Sequence, residues 1–283
     1  MKKTAKIIAI VVAFALVGGI LFVTNAFVGN PISKLLATNA AHKYINEHYT
    51  DTDYIVEKVQ YNFKDGGYYG KIKSPSSVDT YFSLAITSLG KVGWDSYEDM
   101  VTSGRNTWDR VDSEYRKLAQ AVFEGEDFPY VSDIDFGTIR EKYSAEQGNV
   151  YKDFGIATET LVLDEPYDVR ELGAKYGEII FYAQDETVSV QRASEILLDI
   201  TKILDEKNVP FYAITFVLQK PRIEDMPNPD NSEIHLTDFL YSDIYKTDLT
   251  QRVQKSHEET TAYFAAEDAK KMESTGIDKP NVF

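Results

Sequence analysis

The chain has 283 residues, 30 of them basic and 45 acidic, for a net charge of −15, and it has no cysteine. So acidic a chain is no general nucleic-acid binder, because phosphate affinity comes from Lys and Arg. Without cysteine there are no disulfides, thiolate metal sites, cysteine nucleophiles or lipid-modified cysteines. Hydrophobic residues at 43% and aromatics at 13% supply a core, and the length fits one or two modules.

In chain order, Ile7 to Val28 form 22 residues without a charge. As a helix this run is roughly 33 Å long, which predicts a transmembrane helix across a hydrocarbon core of about 30 Å. Lys2, Lys3 and Lys6 precede it, and no acid occurs before Glu47. The expectation is a single-pass protein of the cell membrane, with residues 1–6 a cytoplasmic tail and the rest extracytoplasmic. A cleaved signal peptide is the competing reading. The run exceeds the usual h-region of about 7–15 residues, and Thr24-Asn25-Ala26 is a poor cleavage site.

A first α+β module is expected over 32–140. Gly29-Asn30-Pro31 breaks the helix, and a second helix runs from Ile32 to Tyr49, burying Ala37, Ala41, Tyr44 and Ile45. Val59, Tyr61 and Phe63 then alternate with Lys58, Gln60, Asn62 and Lys64, the period of a half-buried strand. Asp65-Gly66-Gly67 supplies a hairpin turn, Tyr68 to Lys73 returns, and a third strand covers Thr80 to Thr87. Val101, Trp108, Val111, Tyr115, Leu118 and Val122 form the core stripe of a long helix from Ser96 to Phe123, with a bend at Gly104. After a short strand near 134–139, the boundary is expected between 140 and 156.

The second module is expected over 156–272. Its elements are a strand at 178–183, a helix capped by Asp185, Thr187 or Ser189 and running to Glu206, strands at 211–219 and 233–241, and a last helix at 248–271. Residues 273–283 read as a flexible tail. The fold class is therefore α+β. An N-terminal transmembrane helix is followed by two small modules, helix–antiparallel strands–long helix and then strand–helix–strand–strand.

Chemistry is sparse. The chain has no GxSxG, SxxK with partners, HExxH or Walker-type glycine loop, and no cofactor is expected. His42 and His48 are six apart, on different faces of a helix, and His235 and His257 read as separate surface residues. Asp127, Asp133 and Asp135 are candidate metal ligands, because calcium takes oxygen donors of this kind, although the EF-hand order is missing. Among 19 tyrosines, Tyr61, Tyr69 and Tyr81 are the candidate binding residues, since tyrosines on a strand layer suit a peptide- or glycan-contacting face. The competing role for these rings is packing under a helix.

Ala41 to Tyr44, Asp53-Tyr54, Tyr61 to Tyr68, Ser74-Pro75 and Asp79 to Phe82 together carry a resemblance. The chain resembles the YfjL-like family of membrane-anchored proteins of Gram-positive bacteria. The resemblance implies the order anchor, helix, hairpin, long helix and second α+β module, and it carries over no catalytic residues. The helix-plus-hairpin unit is also similar to cystatin-like and PepSY-type modules, an analogy of fold alone. The function expected is a non-catalytic binding or interaction module of the cell envelope, with an envelope protein or a peptide as partner. The alternative is a surface hydrolase using carboxylates or a metal ion, which requires acids converging in a pocket with shifted pKa values.

Overall fold

Two stretches of alternating polarity build two separate sheets. The computed structural model describes residues 2–142, 153–224 and 226–275. Contacts divide the chain into two units, Met1–Thr107 with Leu161–Glu165, and Trp108–Thr160 with Pro166–Phe283.

The first unit contains helices α1 (Lys2–Val28) and α2 (Pro31–His48). Its antiparallel sheet has the order β1 (Ile55–Asn62), β2 (Gly67–Lys73), β3 (Tyr81–Ile86) and β4 (Val92–Asp95). Proline pre-sets the first turn of α2, and the Asn30 side chain caps it by accepting the Ser33 N–H at 2.8 Å. Ala37, Ala41 and Ile45 of α2 then pack on Val59, Tyr68, Ile72, Phe82, Leu84 and Ile86, the inner row of the strands. α1 touches β1 near its end, where the Tyr61 hydroxyl donates to the Ala26 carbonyl at 3.0 Å.

The transmembrane helix expected at Ile7 to Val28 is corrected here. Among the described residues, no helix is long and apolar enough to cross a membrane.

A short π-helix, Glu98–Thr102, follows β4, and the chain then turns at Gly104 with φ +74° before α3 (Arg105–Phe123) begins. The single helix expected from 96 to 123 is therefore two, because glycine accepts the left-handed backbone that the break requires. α3 belongs to the second unit from Trp108 onward.

The second unit continues with β5 (Ser132–Ile139), α4 (Val169–Tyr176), β6 (Gly177–Gln184), α5 (Val190–Glu206), β7 (Ala213–Gln219), β8 (Glu233–Leu240), α6 (Tyr241–Ile244) and α7 (Leu249–Thr275). The sheet order is β5-β6-β7-β8, with β6 and β7 parallel and the other pairs antiparallel. The parallel pair needs a crossover, and α5 provides it, capped by Ser189. Strand–helix–strand–strand is thus the order from β6 to β8, with β5 added in front. The contact division sets Trp108–Thr160 with the second unit, and β5 pairs with β6.

Tyr115 of α3 is fully buried and donates to the Pro210 carbonyl at 2.9 Å. Gly173 makes room for it, since a Cβ there would lie 2.5 Å from the tyrosine ring. Of the tail expected at 273–283, residues 276–283 lie outside the described residues.

Candidate ligand-binding face

The period-two alternation of β2 and β3 puts one row of side chains under α2 and sends the other outward. The register pairs Tyr69 with Ala85, Lys71 with Ser83, Lys73 with Tyr81, and Ala85 with Trp94. These residues share the outer face, and Lys58 joins them opposite Lys71. A groove of about 800 Å³ lies on this face, and its walls include Tyr69, Lys71, Lys73, Tyr81, Ser83 and Trp94. Tyr81 is 40% exposed and Trp94 50%.

Local bonds fix the groove. The Tyr69 hydroxyl donates to the Asp65 carboxylate at 2.9 Å, which ties its ring to the hairpin turn and raises its pKa. Lys73 pairs with Glu57, and that hydrogen bond holds the glutamate below the usual carboxylate range. The groove lining thus carries Lys71 and Lys73 with Glu57, and Asp65 stands at its Tyr69 end. The wall at 74–80 is held by Asp53, which accepts from the Ser74 hydroxyl at 2.6 Å and the Ser76 N–H at 3.1 Å. Segment 161–165 adds a second clamp. Asp79 and Asp164 exchange backbone-to-carboxylate bonds at 3.0 Å in both directions, and the Ser77 hydroxyl donates to Asp164 at 2.9 Å.

Of the three tyrosines singled out from the sequence, the structure brings Tyr69 and Tyr81 to this face. Tyr61 goes to the other. It pairs with Tyr68 in the register, and their ring centroids are 5.2 Å apart on the α2 side. Strand parity carries that distinction, since Tyr68 and Tyr69 are neighbours and must point apart. Trp94, Lys71, Lys73 and Ser83 were missed because β4 is only four residues long and lysines on a strand read as solvated surface.

The acids lie apart. Asp133 accepts from the Gln184 amide at 2.6 Å and from the Gln219 amide, with Arg222 at 3.5 Å. Asp135 accepts from the Ser132 hydroxyl, and Asp127 is exposed on a turn. Among the described residues no group of three or more His, Asp or Glu is placed to hold a metal ion.

One carboxylate pair does converge, in the second unit. Arg140 Nη1 lies 2.5 Å from Asp238 Oδ1 and 3.8 Å from Glu178 Oε2, with the guanidinium 4.4 Å from the Phe154 ring centroid. Burial, and then the Asp238 charge, push the Glu178 pKa up. Asp238 has no exposed surface at all, so this arrangement is an ion-paired network inside the sheet rather than an open cleft. The two histidines read as separate also meet, the His235 N–H donating to His257 Nδ1 at 3.1 Å.

The model of the YfjL-like N-terminal domain matches residues 4–96, and that of the YfjL-like C-terminal domain matches residues 114–254. The chain belongs to the YfjL-like family. Neither a curated protein nor a solved structure gives a significant match. Tyr69, Lys71, Lys73, Tyr81 and Trp94 all lie in the YfjL-like N-terminal domain, and the Arg140 network lies in the C-terminal one.

Proposed function

We propose that this protein is a non-catalytic binding module whose outer sheet face takes an extended, acidic peptide segment of a partner protein. The observation that carries the reading is the placement of Lys71 on the same row as Tyr69, beside Tyr81 and Trp94 in one groove. Same-face residues of a strand repeat every ~6.6 Å, which is also the repeat of side chains along an extended peptide. Acidic side chains of such a peptide meet the ammonium groups, and its apolar or aromatic side chains lie on the exposed rings. Lys71 and Lys73 supply the cationic contacts that such a ligand's carboxylates require.

Panning a displayed library of peptides about 12 residues long against the full chain tests this reading. The expected outcome is enrichment of sequences with Asp or Glu between aromatic residues, lost against the Lys71→Glu/Trp94→Ala chain. Equal enrichment on both chains, or none above bare support, would overturn it.

A further inference from the structure

The second sheet ends on β8, which has β7 on one side only, and α7 packs along it. Val253, His257, Thr260 and Phe264 fall on one face of α7 by their spacing. Among the described side chains of that helix only Val253 and Thr260 are fully buried. The His235 N–H of β8 finds its acceptor off the sheet, in His257 Nδ1 at 3.1 Å, and the His235 ring stacks on Phe264 with centroids 5.3 Å apart. Glu233 lies 3.8 Å from the His235 ring, and Tyr182 of β6 is near Glu233. On α7 the flanking charges are Glu258 and the exposed Lys255–Glu259 pair, and the contact to α5 is neutral, Thr250 with Gln191. The start of the helix is fastened separately, the Arg252 guanidinium donating to the carbonyls of Asp243, Lys246 and Thr247.

We propose that α7 beyond Arg252 is a pH-sensitive latch over β8, docked while His257 is neutral and released when it gains a proton. A neutral imidazole keeps one ring nitrogen as an acceptor, whereas the imidazolium has two donors and none. Protonation therefore turns the contact between the His235 N–H and His257 Nδ1 from donor-to-acceptor into donor-to-donor, and it strips that N–H of its partner. With so little apolar surface buried along α7, this bond is a large share of the docking. His235 acts in the same sense. Burial holds its side chain below the ordinary histidine range, against the pull of Glu233. Its docked value thus lies below its undocked one, so its contribution to docking is present above the undocked range and is lost as pH falls.

Amide hydrogen exchange of the full chain at about pH 7.5 and about pH 5.5, each corrected for the intrinsic chemical rate, tests the proposal. Protection across residues 253–264 is expected to fall about tenfold at the lower pH, while that of Ile196 to Leu204 in α5 stays unchanged. His257→Asn supplies an amide oxygen that accepts at either pH. It is expected to keep the protection seen at about pH 7.5 and to abolish the fall. His235→Phe retains the backbone N–H and a stacking ring, and it leaves His257 as the one histidine of the second unit. This variant is expected to retain the fall. Unchanged protection in the parent, a fall shared by α5, an equal fall in His257→Asn, or none in His235→Phe would each overturn the latch.

Discussion

The two sheets of this protein spend the same strand chemistry differently. In the first, β2 and β3 alternate strictly, with Tyr68, Ile72, Phe82, Leu84 and Ile86 buried against α2 while Lys71 and Tyr81 stay exposed. In the second, β7 buries Ala213, Ile214, Phe216, Val217 and Leu218, residues of both parities, and β8 buries four in a row from Leu236 to Phe239. A parallel pair with a crossover helix is normally covered on both faces. A hairpin sheet can leave one face to water and hence to a ligand. The second sheet therefore sinks its polar groups into an internal network around Arg140, whereas the first displays them.

Substitutions sharpen that contrast. The largest effect is expected from Asp238→Ala, which removes the carboxylate 2.5 Å from the buried Arg140 guanidinium. Urea unfolding is expected to show a loss of about 3–5 kcal/mol. A loss below about 1 kcal/mol would mean the network is hydrated and the second sheet less closed than described. Leu84→Ala, in the fully buried inner row of the first sheet, is expected to cost about 2–5 kcal/mol by the same measurement.

Glu178→Gln acts in the opposite sense to Asp238→Ala. The folded pKa of Glu178 lies above the ordinary 4.5, so its ionisation opposes folding. The contribution is fully present below the unfolded pKa and is lost as pH rises through the folded value. The glutamine variant keeps an acceptor for the Thr215 hydroxyl, which bonds Glu178 at 2.8 Å. It is expected to be as stable as the parent at pH 7, or more so by up to about 1 kcal/mol, and to lack the parent's gain on acidification. A variant less stable at neutral pH would show that Glu178 is needed as a charge for Arg140. The smallest effect belongs to Lys71→Ala on the open face, expected within about 0.5 kcal/mol of the parent.

Much of this was legible in the residues, and the failures have physical causes. The inner row Ala37, Ala41, Ile45 and Val59 follows from periodicity, the hairpin follows from the glycines at Gly66-Gly67, and of the three caps read from the sequence, Asp185, Thr187 and Ser189, the helix uses Ser189. α4 was invisible because Val169–Tyr176 is eight residues long with glycine at its centre, held by the cap at Asp168 and the close approach of Tyr115 to Gly173. β4 and the break at Gly104 are set by pairing and by a positive φ, which a local apolar stripe does not reveal. Of the proposed face, Tyr69 and Tyr81 stand among the tyrosines singled out from the sequence, whereas Trp94 and the lysines depend on register across neighbouring strands. Arg140, Glu178 and Asp238 are spread over 98 positions, and only the fold brings them together.

The claim that the outer face of the first sheet is where a ligand docks is tested most directly by hydroxyl-radical footprinting of the full chain, with and without a peptide obtained by panning. The account predicts protection of Trp94, Tyr81 and Tyr69, with Tyr61 unchanged on the opposite face. Protection confined to the second unit, for instance at exposed Tyr245, or protection of Tyr61 without Trp94, would contradict it.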